Sequence, residues 1–345
     1  MTNTARKALK RLVVGQSQAV AALSRLIDMH FSWFDMPDPQ HRPPNALIVG
    51  PTGTGKTHAI KVAAAALQIP CLVVDSTRLV STGSSTSLTL EDILQSLVKR
   101  ARPVSGHSRP EDVAARGIIF LDEFDKLRYL KPTDDTAAVQ RRLLQFIEGD
   151  SVDLAPGEYD VPRDLDTQGI LFIAAGAFTN IQSVVHKRAV GRGWGDLIRP
   201  EDVHRYGFLE ELAARLPIII RFDDLDADAL REILVRDEVS PLKFYREYFK
   251  RHGIQLDIAP DAQQAVAEAA AQSQLGARGL HQELFPVLND LANQLIPADS
   301  AADAQDPHTR FELTSTIHRQ LKNGSYELHP EHKTAIDKEV MERDV

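Results

Sequence analysis

The chain has 345 residues, 43% hydrophobic, 26% charged and 6% aromatic, a length and balance that suggest two or three ordinary globular domains. No apolar run reaches the roughly 20 residues of a membrane span, and the polar amino terminus has no signal-peptide core, which predicts no membrane partner and no secretion. The lone Cys71 has no internal disulfide partner and fits a reducing cytoplasm, while 40 basic against 48 acidic side chains, net -8, speak against a duplex-wrapping protein.

Residues 1–34 read as helical. Leu9, Leu12 and Val13 form one apolar cluster, Val20, Leu23, Leu26 and Ile27 repeat at helical spacing, and Gly15 interrupts the pattern. A Pro-rich link over 37–44 leads to a short apolar run, 46–49, that suits a buried strand. A Gly-rich turn follows over 50–57, then an Ala-rich stretch, 58–67, that predicts a helix. Residues 71–74 predict a second strand. The Ser/Thr/Gly tract 81–89 has little to bury and predicts a surface loop. Ile93, Leu94, Leu97 and Val98 mark one face of an amphipathic helix over 91–100. Residues 117–121 predict a third strand, ending at Asp122 and Glu123. A helix over 139–147 stops at Gly149. The Asp-, Pro- and Gly-rich stretch 151–167 predicts a long loop, and 170–173 a fourth strand.

From Asp223 onward the pattern is helix-rich. Asp226 is placed to cap a helix carrying Leu230, Ile233 and Leu234, and further helices are expected over 242–250, 262–272 and 280–295. A linker covers 297–307, and 311–317 predicts a strand. The expected division is a large α/β domain over 1–222, a small helical domain over 223–319, and a charged, flexible tail over 320–345.

Gly50, Pro51, Thr52, Gly53, Thr54, Gly55, Lys56 and Thr57 match the pattern G-x-x-x-x-G-K-[ST] in full. Glycines there let backbone N–H groups close around phosphate oxygens. Lys56 supplies charge to the outer phosphates, Thr57 offers a hydroxyl to Mg²⁺, and the next helix directs its positive end at the same anion. The context is the required one, strand before and helix after. The apolar strand that ends in Asp122 supplies the second half, placing a carboxylate beside the magnesium. Glu123, one residue on, is suited to polarise an attacking water, which favours hydrolysis of the nucleotide over mere binding.

At this point the sequence resembles the AAA+ ATPases, and within them the ClpX/HslU class of protein unfoldases, over roughly residues 8–320. Val13, Val14, Gly15 and Gln16 look like the stretch that packs on adenine in that class, and His58 follows the phosphate loop. Residues 139–149 resemble the helix after the acidic strand, and 170–178 the sensor-1 strand. Residues 206–217 resemble the segment with the arginine finger, which falls on Arg215. Gly276, Ala277, Arg278, Gly279 and Leu280 match the sensor-2 motif, with Arg278 as its arginine. The resemblance implies an α/β P-loop domain followed by a smaller, mostly helical lid. It implies ATP and Mg²⁺ as cofactors and a homo-oligomer, a hexameric ring, in which Arg215 reaches the nucleotide of a neighbouring subunit. Arg278 would link the small domain to the phosphates.

Departures from the class pattern bear on the substrate. The class grips chains with a loop reading Gly-aromatic-Val-Gly. Aligned from Gly83, Ser84 replaces the aromatic; aligned back from Glu91 and Asp92, Leu88 does. An aromatic paddle grips by area and shape, whereas a Ser/Thr loop suits hydrogen bonding to one partner. The second pore loop falls within the acidic stretch 151–166, where only Arg163 stands in for a basic cluster. The peptidase-docking loop of the class carries Ile-Gly-Phe; here Gly191, Arg192, Gly193, Trp194 and Gly195 occupy the region. A charged tip suits an apolar cleft poorly, so a ClpP-like peptidase is not expected as partner. Trp194 reads equally as core or as an anchor for another partner. The class's zinc module has no counterpart in a chain with one cysteine. At the sensor-1 position stand Ala174 and Ala175, with Thr179 or Asn180 as substitutes. These features predict a cytoplasmic ATP-driven remodeller of a specific protein client or adaptor. The alternatives are an unfoldase serving a protease, and a nucleotide-gated scaffold with little turnover. Nucleic acid is not expected as a partner.

Overall fold

The computed structural model describes residues 2–36, 42–80, 88–101, 109–129, 135–149, 151–154, 163–189, 197–296, 309–327, 329 and 332–335. The chain divides into two compact units, Met1–Asp223 and Asp224–Val345.

The first unit starts with α1 (Thr2–Leu12) and α2 (Ser17–Trp33), separated by the left-handed Gly15. Then come β1 (Ala46–Val49), α3 (Lys56–Leu67), β2 (Cys71–Asp75), α4 (Leu90–Arg100), α5 (Pro110–Ala114) and β3 (Ile118–Asp122). A 3₁₀ turn, Phe124–Leu127, follows β3. The unit continues with α6 (Asp135–Glu148), β4 (Ser151–Leu154), β5 (Arg163–Asp166), β6 (Leu171–Gly176), α7 (Ile181–Ala189), α8 (Pro200–Gly207), α9 (Glu210–Ala214) and β7 (Ile218–Arg221).

Five of these strands form one sheet in the order β2-β3-β6-β1-β7, with every pair parallel. Successive side chains on a strand point to opposite faces, so a strand covered on both sides reads as an unbroken apolar run. Ile118 and Phe120 of β3, with Leu171 and Ile173 of β6, join the cluster built with α1, α2 and α3. Ile119 and Leu121, with Phe172 and Ala174, join the opposite cluster, built with α4 and α6. The expected α/β core flanked by helices is therefore present. Because β6 lies between β3 and β1, the carboxyl ends of all three strands open side by side, where parallel α/β sheets bind ligands.

Three expectations change. The stretch 151–167, expected as a long loop, contains the antiparallel hairpin of β4 and β5, with Ser151 opposite Asp166 and Leu154 opposite Arg163. Leu154 and Leu165 are its buried anchors, and its remaining polar residues hide the strand pattern. The strand expected over 311–317 ends at Leu313. Thr314 then caps a helix, accepting a hydrogen bond from the Ile317 N–H. The segment expected as a flexible tail begins inside that helix, Ser315–Lys322, and also contributes the strand Lys333–Ala335.

The second unit holds α10 (Ala227–Val235), α11 (Leu242–Arg251), β8 (Ile254–Ile258), α12 (Pro260–Gln272), α13 (Ala277–Leu295), β9 (Thr309–Leu313), α14 (Ser315–Lys322) and β10 (Lys333–Ala335). Asp226 caps α10 as expected, accepting from the Ala229 N–H at 2.8 Å. β8 pairs parallel and β10 antiparallel with β9. The helices share one apolar core that includes Leu230, Phe249, Val266, Leu284 and Phe311. No helix among the described residues is long and apolar enough to cross a membrane.

Candidate active site

The site is built at the carboxyl ends of β1 and β3. Gly50 follows β1, and a Cβ there would lie 2.3 Å from the Phe222 carbonyl oxygen, so the chain can turn off the sheet only at glycine. Gly55 has φ +95°, a left-handed conformation that glycine adopts at little cost, and it hands the chain to α3. The first turn of α3 leaves N–H groups without partners inside the helix, an arrangement that favours an anion. Lys56 is buried, and its Nζ donates to the carbonyls of Gly50 at 2.7 Å and Pro51 at 2.6 Å. Thr54 Oγ1 donates to the Pro51 carbonyl at 2.9 Å and tightens the same turn. A cation is thus lodged in a loop of backbone dipoles, the chemistry a polyphosphate requires.

Thr57 Oγ1 donates to Asp122 Oδ2 at 2.6 Å, joining the start of α3 to the end of β3. A hydroxyl and a carboxylate in contact beside a phosphate loop are hard oxygen donors, and they fit Mg²⁺. Asp122 Oδ1 accepts from the Glu123 N–H at 3.0 Å. Glu123 has φ +53°, uncommon for a residue with a side chain, and this turn ends the strand and leaves the carboxylate exposed.

Val13 and Val14 are buried just after α1. Two contacts fix this stretch. His58 Nε2 lies 3.0 Å from the Leu12 carbonyl. Gln16 brackets the backbone of Asp223, its Nε2 donating to the carbonyl at 2.7 Å and its Oε1 accepting from the N–H at 3.0 Å. The sequence motif marked Gln16 without revealing this two-sided clamp.

The other expected residues are dispersed. Arg215 follows α9 and pairs with Glu148 at 2.7 Å, both side chains largely exposed. Arg278 lies in the first turn of α13 in the second unit; it is exposed, and its side chain makes no hydrogen bond or ion pair among the described residues. Leu88 is half-buried. Its N–H donates to the Arg78 carbonyl at 3.1 Å, and it lines a cavity of about 660 Å³ with Leu79, Leu94, Leu143 and Phe146. Ala174 and Ala175 are buried in β6, while Thr179 and Asn180 are exposed in the turn after it. Gly83, Ser84 and Trp194 lie outside the described residues.

Strand, phosphate loop, helix and acidic strand end, assembled on a five-stranded parallel sheet, define a P-loop nucleotide-binding fold. Comparison with known proteins narrows this. Residues 42–219 match the AAA domain (Cdc48 subfamily). The chain is 32% identical over 313 residues to the ATP-dependent Clp protease ATP-binding subunit ClpX of Porphyromonas gingivalis, covering 82% of this chain and 74% of that protein. It is 31% identical over 304 residues to the protein of the same name from Treponema denticola, with 79% and 72% covered. With the protein of that name from Bacteroides thetaiotaomicron it shares 31% identity over 326 residues, with 86% and 77% covered. The chain belongs to the AAA+ ATPases, as a ClpX-like member. It is an ATPase whose hydrolysis is coupled to protein remodelling.

Proposed function

We propose that the chain binds ATP with Mg²⁺ at Gly50–Thr57, Asp122 and Glu123, and uses its hydrolysis to remodel one specific protein or complex. The observation that carries this reading is the contact of Thr57 with Asp122 at 2.6 Å beside the buried Lys56, with Glu123 next in the chain. Lys56 and the loop N–H groups would hold the outer phosphates, and Val13 and Val14 would pack on the base. Thr57 and Asp122 would hold Mg²⁺, which when bound neutralises charge between the phosphates. Glu123 orients and polarises the attacking water.

Arg215 of a neighbouring subunit stabilises charge as the phosphoryl group leaves, and this trans action calls for a homo-oligomer, in the form of a hexameric ring. Its pairing with Glu148 is no obstacle, since an exposed ion pair of this kind is worth about 1 kcal/mol or less. Arg278, assigned on its motif, ties the motion of the second unit to nucleotide state.

The substrate-handling chemistry favours a dedicated client or adaptor in the cytoplasm, without a ClpP-like peptidase. Ser84 or Leu88 takes the place of a gripping aromatic, and Arg192 takes the place of an apolar docking tip. A second reading, an unfoldase that feeds a protease, is favoured by the similarity to ATP-binding subunits of an ATP-dependent Clp protease. Capture with Glu123→Gln tests the proposal. The variant is expected to bind ATP, lose turnover and retain its client only while ATP is present. Turnover at the wild-type rate would overturn the reading. Co-purification of a peptidase with the client would favour the second one.

A further inference from the structure

β6 ends beside the phosphate loop without a polar side chain. Ala174 and Ala175 are fully buried, and the strand closes on Gly176. Its contacts with the site run through backbone. The Gly176 carbonyl accepts from the Gly50 N–H at 3.2 Å, so the end of β6 is bonded to the first residue of the phosphate loop.

The other side of the β6 end meets Asp125. This carboxylate is buried, 8% exposed, two residues beyond Glu123 in the 3₁₀ turn. Its Oδ1 accepts from the Ala177 N–H at 3.3 Å. The approach is close: a Cβ on Gly176 would lie 2.4 Å from Asp125 Oδ1 and 2.9 Å from the Asp125 N. Lys126 Nζ, at 4.0 Å from Oδ2, is the cation facing the group. The neighbour between them, Phe124, is fixed as well. Its ring stacks on Phe208 at 5.0 Å, and Phe208 lies 5.8 Å from Phe178 in the turn after β6. Among the described residues Glu123 is held only through its own N–H and carbonyl, in an uncommon conformation, while Asp125 is bonded to the β6 end and Phe124 stacks on Phe208.

We infer that Asp125 is a positioning residue for ATP hydrolysis: by accepting from Ala177 against Gly176 it locks the turn that carries Glu123 to the strand end that touches the phosphate loop. This rests on the reading that Glu123 polarises the attacking water. Displacing such a group by about 1 Å costs up to roughly a hundredfold in rate, while binding contacts elsewhere are untouched.

The test is steady-state ATPase kinetics beside titration of a fluorescent ATP analogue. Asp125→Ala is expected to lower kcat roughly ten- to a hundredfold and to keep affinity within about threefold. Asp125→Asn keeps an oxygen that accepts from Ala177 and is expected to stay within about threefold of wild type. Gly176→Ala pushes the carboxylate aside and is expected to lower kcat, yet to add little in the Asp125→Ala background, because the group it displaces is already gone. Wild-type turnover in Asp125→Ala would overturn the inference, as would an affinity loss that matches the rate loss, or an Asp125→Asn as slow as Asp125→Ala. If Asp125→Ala does not fold, Gly176→Ala decides: slow turnover with ATP affinity retained supports the inference, and wild-type turnover overturns it. Glu123→Gln separates the two readings. If it keeps turnover, the role of Glu123 fails; if it is dead while Asp125→Ala is fully active, only the role of Asp125 fails.

Discussion

At the scale of single residues, burial decides which groups are free to carry charge. His30 of α2 is 1% exposed, with Nε2 3.0 Å from the Gly169 carbonyl and its ring edge-on to Phe31 and Phe34. Burial pushes its pKa from 6.5 down to about 4; the Gly169 carbonyl opposes this and the nearby Arg42 adds to it. The folded protein therefore holds His30 neutral, while the unfolded chain takes up a proton first as pH falls. The stabilisation is whole above pH 6.5 and is lost as pH falls toward about 4. Between pH 7 and pH 5 this amounts to about 2 kcal/mol. Urea unfolding at the two pH values checks it: His30→Phe is expected to show a smaller loss than wild type by about that amount. Equal pH dependence would show that this histidine does not carry it.

At the scale of elements, the site depends on how strand ends are pinned. Gln16 clamps the stretch after α1 to Asp223, just past β7, through two hydrogen bonds. Gln16→Leu keeps the volume and removes both, and each such bond is worth about 1 kcal/mol. The expected result in an ATP titration is affinity weakened roughly five- to thirtyfold with kcat little changed, since Val13 and Val14 lose their fixed position while Glu123 does not. A fall in kcat at unchanged affinity would detach this clamp from base binding. What was legible in the sequence at this scale follows from where apolar residues fall. β1, β3 and β6 are unbroken apolar runs because both faces are covered, and Gly50 to Thr57 announce their turn through residue types that few other structures need. The β4–β5 hairpin was illegible because only Leu154 and Leu165 are buried in a polar stretch. The clamp of Gln16 and the contact of Asp125 with Ala177 were illegible for another reason. Both join a side chain to backbone far away in sequence, and backbone partners leave no mark on residue identity.

At the scale of the whole molecule, the chain keeps an ATPase core and varies what surrounds it. The residues proposed to hold nucleotide gather at the carboxyl ends of β1 and β3, whereas Arg215 precedes β7, paired with Glu148 and exposed. An arginine so placed serves catalysis only if another copy brings its own phosphate site to it. Exposed charges at an interface change association and salt dependence more than fold stability, so the proposed ring is expected to weaken at high salt while each subunit stays folded. The most direct measurement is ATPase activity in mixed assemblies of two inactive variants, Arg215→Ala and Glu123→Gln. In an equal mixture, a subunit with intact Glu123 receives Arg215 from a Glu123→Gln neighbour at about a quarter of positions, so about a quarter of wild-type turnover should return. No recovery in assemblies shown to contain both variants would contradict a site completed by a neighbouring subunit.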